Sequence, residues 1–229
     1  MISDKLHPFP TRLRAVIFDL DGTLVDTADE FIPAVQALRA EHGLEEMEPQ
    51  RIRASVSNGA RALVALGLGL EESAPEFEER RLRLLALYGE VLGSEARLYP
   101  GIPALLAHLQ REGISWGIAT NKPRAFTEPL LACLDIQPGP DSVVCPEDVT
   151  LRKPHPESLL LNCREIGCEP GEAVYIGDHQ RDIDAGRSAG MYTIAAAYGY
   201  IEPDDAPQRW GANAQADSGE ALLDLIFNR

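Results

Sequence analysis

Residues 16–27 read VIFDLDGTLVDT. An apolar, β-branched run ends in Asp19, Asp21 follows two positions on, and Gly22-Thr23 signals a turn. Buried strands seldom end in two acids, because an uncompensated buried carboxylate is very costly. In an extended chain, residues i and i+2 point to the same side, so Asp19 and Asp21 are expected to face one small volume. Two like charges held that close need a cation, a shared proton, or both. A divalent ion with oxygen ligands, such as Mg2+, meets that need.

The strand before Asp19, residues 14–18, is short, β-branched and aromatic, as buried parallel strands are. After it the texture turns helical. Helical spacing covers residues 28–42, 49–66 (interrupted at Ser57-Asn58-Gly59) and 77–92, and no strand is evident between them. From Tyr99 onward strands and helices alternate. Strands are predicted at 114–119, 142–145, 173–176, 192–196 and 214–216, with helices at 102–111, 124–134, 156–166, 182–189 and 221–227. This order predicts an α/β fold: a doubly wound, Rossmann-like parallel sheet with helices on both faces. The expected division is a core of residues 1–25 and 98–229 with an inserted α-helical cap, 26–97.

The chain has 229 residues and a formal net charge of −15, which argues against nucleic-acid or anionic-membrane partners. No apolar run is long enough to span a bilayer, and residues 1–14 lack the apolar core of a signal peptide. Cys133, Cys145, Cys163 and Cys168 show no CxxC spacing, so neither a zinc site nor a disulfide framework is expected, and the cytoplasm is the expected location. Lysine is rare: Lys5, Lys122 and Lys153.

In open α/β sheets, ligands bind beyond the carboxyl ends of the strands. Three predicted strands end in polar groups there: Asp19 with Asp21, Thr120 with Asn121, and Asp178 with Asp182 close behind; a fourth loop carries Lys153. Singly, each has a structural reading as a helix cap, a turn residue or a solvated charge. A parallel sheet brings them to one edge. Four aspartates against Lys153 would repel a phosphate without a metal. One Mg2+ still leaves an excess of negative charge, so one carboxyl is expected to be protonated or turned away, and a protonated acid is what general acid catalysis requires.

These motifs (DLDGT, ATN, RKP and GDHQRD) resemble those of the haloacid dehalogenase superfamily, in its phosphoglycolate-phosphatase-like branch with a helical cap. The likeness covers nearly the whole chain. It implies a phosphatase in which Asp19 is the nucleophile and forms an aspartyl-phosphate, while Asp21 is the general acid and then the base. It also implies Mg2+ held by Asp19, the Asp21 backbone carbonyl and Asp178, with Asp182 as a ligand or anchor. Thr120 and Lys153 would bind the transferring phosphoryl group, and Gly22 and Asn121 would contact the substrate. A finer likeness, to bacterial phosphatases of N-acetylmuramic acid 6-phosphate, rests on RIRASVSNGARALV, CPEDV and YGYIEPDDAPQRWGA. That sugar phosphate and 2-phosphoglycolate are the expected substrates, for a monomer or homodimer.

The break at Ser57-Asn58-Gly59 offers backbone N–H groups to an anion, and Arg61 can pair with a substrate carboxylate; an ordinary helix–helix turn with an exposed arginine is the other reading. Asn58 and Arg61 are therefore candidate substrate contacts. Tyr198, Tyr200 and Trp210 form an aromatic group that either flanks the site or packs. Other readings of the chain are a sugar-phosphate mutase of the same superfamily and a non-catalytic phospho-aspartate signalling or binding module. Asp21 argues against a dehalogenase, where that position is replaced.

Overall fold

The computed structural model describes residues 6–228. Its centre is β1 (Ala15–Phe18), buried on both faces as its unbroken apolar run requires. Around it the chain builds one six-stranded parallel sheet. The other strands are β4 (Ser115–Ala119), β5 (Ser142–Val144), β6 (Ala173–Gly177), β7 (Tyr192–Ala196) and β8 (Ala214–Ala216), in the order β5-β4-β1-β6-β7-β8. The chain runs outward on one side of β1 and returns to run outward on the other. The carboxyl end of β1 is thus the switch point where ligands bind in such sheets.

Alternate β1 residues serve different layers. Val16 and Phe18 join a cluster with Leu105 and Leu109 of α5 (Ile102–Glu112), Leu130 of α6 (Arg124–Leu134) and Leu222 of α9 (Gly219–Phe227). Ala15 and Ile17 face Leu159 and Cys163 of α7 (Glu157–Ile166) and Ala185 of α8 (Gln180–Ala189). The two faces of the sheet are covered as the alternation predicts.

The helical segment holds α1 (Ala28–Glu41), α2 (Pro49–Ala54), α3 (Gly59–Leu68) and α4 (Phe77–Val91). They close over their own core, with Phe31, Val35, Leu38, Ile52, Leu63 and Leu84 among its buried residues. One feature departs from expectation. The chain enters and leaves this segment through a two-stranded antiparallel ribbon, β2 (Val25–Asp26) against β3 (Arg97–Leu98), where no strand was expected. Two residues are too few to display a period. The second expected helix, 49–66, is divided into α2, a single 3-10 turn at Val56–Asn58, and α3.

The start of α8 lies at Gln180, ahead of the expected 182, because His179 caps it. The Asp182 carboxylate accepts from His179 N–H at 3.1 Å, and the His179 ring nitrogen accepts from Arg181 N–H at 3.1 Å. No helix among the described residues is long and apolar enough to cross a membrane.

Candidate active site

Asp19 is the first residue past β1, and its Oδ1 accepts from Leu20 N–H at 2.7 Å. Lys153 reaches the same oxygen at 2.7 Å and Asp182 Oδ1 at 2.8 Å. It also donates to the Tyr175 hydroxyl, which in turn donates to Asp182, each at 3.0 Å. Burial alone would strip charge from this lysine, but the two carboxylates outweigh it and raise its proton affinity.

Asp178 follows β6. Its Oδ2 accepts from Tyr200 N–H at 2.9 Å and from the Ser57 hydroxyl at 2.7 Å. Two glycines make room for it. A Cβ on Gly22, whose φ is +82°, would lie 2.0 Å from Asp178 Oδ2, and one on Gly199 would lie 2.3 Å from Asp178 Cβ. The DGT turn is thus shaped by the acid of a distant strand.

Asp19, Asp178 and Asp182 bring one carboxylate oxygen each to within 4.8 Å of one another. Burial pushes Asp19 up to about 7, against the opposing pull of Lys153, and raises Asp178 well above the carboxylate range. Buried carboxylate oxygens destabilised by their own proximity are the donor set a hard divalent cation such as Mg2+ takes. The residues fit the ion that the motifs imply.

The two carboxylates of the first motif pair with different lysines. The Asp21 carboxylate lies outside that cluster and has its own partner, Lys122, whose Nζ lies 2.9 Å from Asp21 Oδ1. The Thr27 hydroxyl donates to the same oxygen at 2.7 Å. Lys122 was absent from the expected site, although its rarity and its place beside ATN were visible signals. It also alters the electrostatics. With all four carboxylates ionised, the two ammonium groups would leave an excess of two negative charges, the charge of one divalent cation.

The other expected residues divide. Thr120 lines the cleft, and its hydroxyl accepts from Lys122 N–H at 3.0 Å. Asn121 lines it too, with its amide donating to Lys153 C=O at 3.2 Å. The Gly22 N–H is already bonded to Val25 C=O at 2.9 Å. Asn58 is engaged by Glu202, His179 and Arg181, and so latches α3's start onto the sheet edge. Arg61 lines the cleft while paired with Glu72 at 2.7 Å and with Glu78 at 3.7 Å. The aromatic group is not one patch. Tyr200 accepts from Thr27 N–H and Ala28 N–H, Tyr198 donates to Thr23 C=O, and Trp210 donates to Asp205.

Between sheet and helices lies a cleft of about 650 Å³. Asp19, Asp21 and Lys122 form its floor; Arg152 and Arg181, both unanticipated, add positive charge to its walls, while Arg81 there is paired with Glu78.

The haloacid dehalogenase-like hydrolase family model matches residues 16–196. The chain belongs to that family. Among relatives, it is 47% identical over 215 residues to an N-acetylmuramic acid 6-phosphate phosphatase of Pseudomonas aeruginosa, covering 94% of this chain and 95% of the other. It is 38% identical to a phosphoglycolate phosphatase of Xanthomonas campestris, covering 91% and 94%. The crystal structure of a predicted phosphoglycolate phosphatase from Haemophilus somnus superposes with a TM-score of 0.82 at 25% identity, over 94% of this chain and 98% of that one. Named relatives of this haloacid dehalogenase-like chain are thus phosphatases over essentially their whole length.

Proposed function

We propose that this chain is a Mg2+-dependent phosphomonoester hydrolase working through an aspartyl-phosphate on Asp19. The observation that carries this reading is the separation of the two acids of one motif. Asp19 is held by Lys153 at the edge of the sheet, and Asp21 is held by a different lysine in the same cleft.

In this reading the Asp19 carboxylate attacks phosphorus and the bond to the substrate oxygen breaks. Asp21 gives that oxygen its proton. Asp21 then takes a proton from water, which attacks the aspartyl-phosphate, and the P–O bond to Asp19 breaks to release phosphate. Thr120 faces the equatorial oxygens, and Lys153, bonded to Asp19 beneath the cleft, offsets charge there. Asp19, Asp178 and the Asp21 carbonyl would hold Mg2+, with Asp182 as ligand or anchor, and the ion would supply charge neutralisation there.

Residues 26–97 act as the cap, the two-stranded ribbon being its hinge. N-acetylmuramic acid 6-phosphate is the first substrate to expect and 2-phosphoglycolate the second, from the order of identity. The cleft volume supports this order. At about 650 Å³ it has the scale of sites that enclose a whole small molecule, more room than a two-carbon phospho-acid fills. Both substrates carry a carboxylate, which Arg152 and Arg181 on the walls suit. The charge of −15 supports a small-molecule partner over a nucleic acid, and four free cysteines support a cytoplasmic setting.

The test is phosphate release from both substrates with and without Mg2+, with Asp19→Asn as control. Mg2+-dependent release that Asp19→Asn abolishes is expected. Release that survives in that variant overturns the nucleophile assignment.

A further inference from the structure

We infer that Lys122 is a positioning residue for the proton-transfer steps: it makes the orientation of Asp21 depend on the helical segment being seated on the sheet. This rests on the phosphatase reading, in which Asp21 is the acid and base.

Lys122 is 8% exposed, and its side chain is gripped from both layers. Its backbone is set by the sheet, with its N–H bonded to Thr120 and its C=O accepting from the Thr127 hydroxyl at 3.1 Å. Its ammonium donates to Asp21 Oδ1 on one side and to the Tyr88 hydroxyl, at 2.7 Å, on the other. It also lies 4.6 Å from the Tyr88 ring centre and 5.2 Å from that of Phe31. Those rings, from α4 and α1, stack at 3.9 Å with 6° between their planes. A buried ammonium keeps its place only while partnered. Here the partners are one carboxylate of the sheet edge and an aromatic wall of the helices.

The consequence for Asp21 is geometric. Both Lys122 and Thr27 bind Oδ1, which leaves Oδ2 as the oxygen that gives and takes the proton. When the helical segment lifts, Tyr88 and Phe31 leave with it. Lys122 then turns to water, and Asp21 loses one of the two donors that fix its carboxylate. Proton transfer is thereby restricted to the seated state. Lys153 has no such dependence, since its partners Asp19, Asp182 and Tyr175 all belong to the sheet side.

The test uses Lys122→Met, which keeps the length and removes the charge, and Tyr88→Phe, which keeps the ring stack and removes the donor–acceptor hydroxyl. With N-acetylmuramic acid 6-phosphate and Mg2+, kcat is expected to fall about 100-fold in K122M and about 10-fold in Y88F, with KM nearly unchanged, the scale of a misplaced general acid–base. With p-nitrophenyl phosphate, whose leaving group needs no proton, the rapid release of the first equivalent of nitrophenolate should persist while later turnovers slow. A rise in KM at unchanged kcat makes Lys122 a substrate anchor and overturns the proposal. Loss of the first nitrophenolate release in a folded variant does the same. If K122M does not fold, Y88F carries the test. If the unmodified chain hydrolyses no phosphomonoester, the phosphatase reading fails separately. The crystal structure of either variant still decides the positioning claim, which is lost if Asp21 keeps its rotamer and its bond to Thr27.

Discussion

Lys153 holds its ammonium 2.7 Å from Asp19 Oδ1, and the lysine side chain is only 1% exposed. The charge of Asp19, the proposed nucleophile, is therefore stabilised from beneath the cleft by a buried group. Its second partner, Asp182 at 2.8 Å, is fully buried. One buried cation thus serves two buried acids, and a cation in the metal position would complete the balance.

Removing that cation should be severe. Lys153→Met leaves Asp19 and Asp182 without their shared partner, a loss of about 3–5 kcal/mol by analogy with broken buried pairs. Urea unfolding measures it. The double variant Lys153→Met/Asp182→Asn should recover part of that loss, because one of the stranded charges is gone. Strictly additive effects would show that the two groups do not share the interaction.

Metal addition should stabilise the unmodified chain, by about 2.7 kcal/mol at a hundredfold excess of Mg2+ over Kd. Asp178→Asn should abolish that response. Without metal, the variant should be at least as stable as the unmodified chain, since burial already raises Asp178 well above the ordinary carboxylate range and Asn carries no charge to bury. Thermal melts with and without Mg2+ check both signs. An equal Mg2+ response in the variant removes Asp178 from the metal site.

What was legible in sequence was chemistry at strand ends. Asp19, Thr120, Lys153 and Asp178 were expected at one edge because parallel strands place their carboxyl ends together, and β1, β4 and β6 do so. Less legible was which acid each cation serves. Asp21 and Lys122 are 101 residues apart, and Tyr88 belongs to an amphipathic helix whose aromatic residue reads as core. Ser57 was noted as part of a helix break, but its bond to Asp178 spans 121 residues and follows from how the helices sit on the sheet. The ribbon of β2 and β3 escaped for a different reason: each strand has two residues, and its pairing is imposed by the segment it brackets.

Gly22 tests how closely the first motif is fitted to Asp178. Gly22→Ala forces a Cβ into the space of the Asp178 carboxylate, at a φ of +82° that costs about 1–2 kcal/mol for a residue with a side chain. Because the clash falls on a candidate metal ligand, Mg2+ binding by titration calorimetry should weaken beyond what the change in melting temperature accounts for. Unaltered Mg2+ affinity would mean that Asp178 moves aside without consequence.

Tyr200 sits where the chain enters the helical segment. Its hydroxyl accepts from Thr27 N–H at 2.6 Å and Ala28 N–H at 2.9 Å, and donates to Asp26 Oδ1 at 2.8 Å. Thr27 makes no side-chain cap at the start of α1, so a residue from the far end of the chain satisfies those first amides. Tyr200→Phe leaves the Thr27 N–H buried without its partner, while Ala28 retains Asp26 at 3.2 Å. The expected loss is about 1–3 kcal/mol, the cost of one unsatisfied buried donor. Asp26 and Thr27 belong to the proposed hinge of the helical segment, and hinge substitutions change kcat and KM together. Steady-state kinetics should therefore show both constants altered, although Tyr200 OH touches neither Asp19 nor Asp21. A variant with lowered stability and unchanged kinetics would reduce Tyr200 to a helix cap and move the hinge elsewhere.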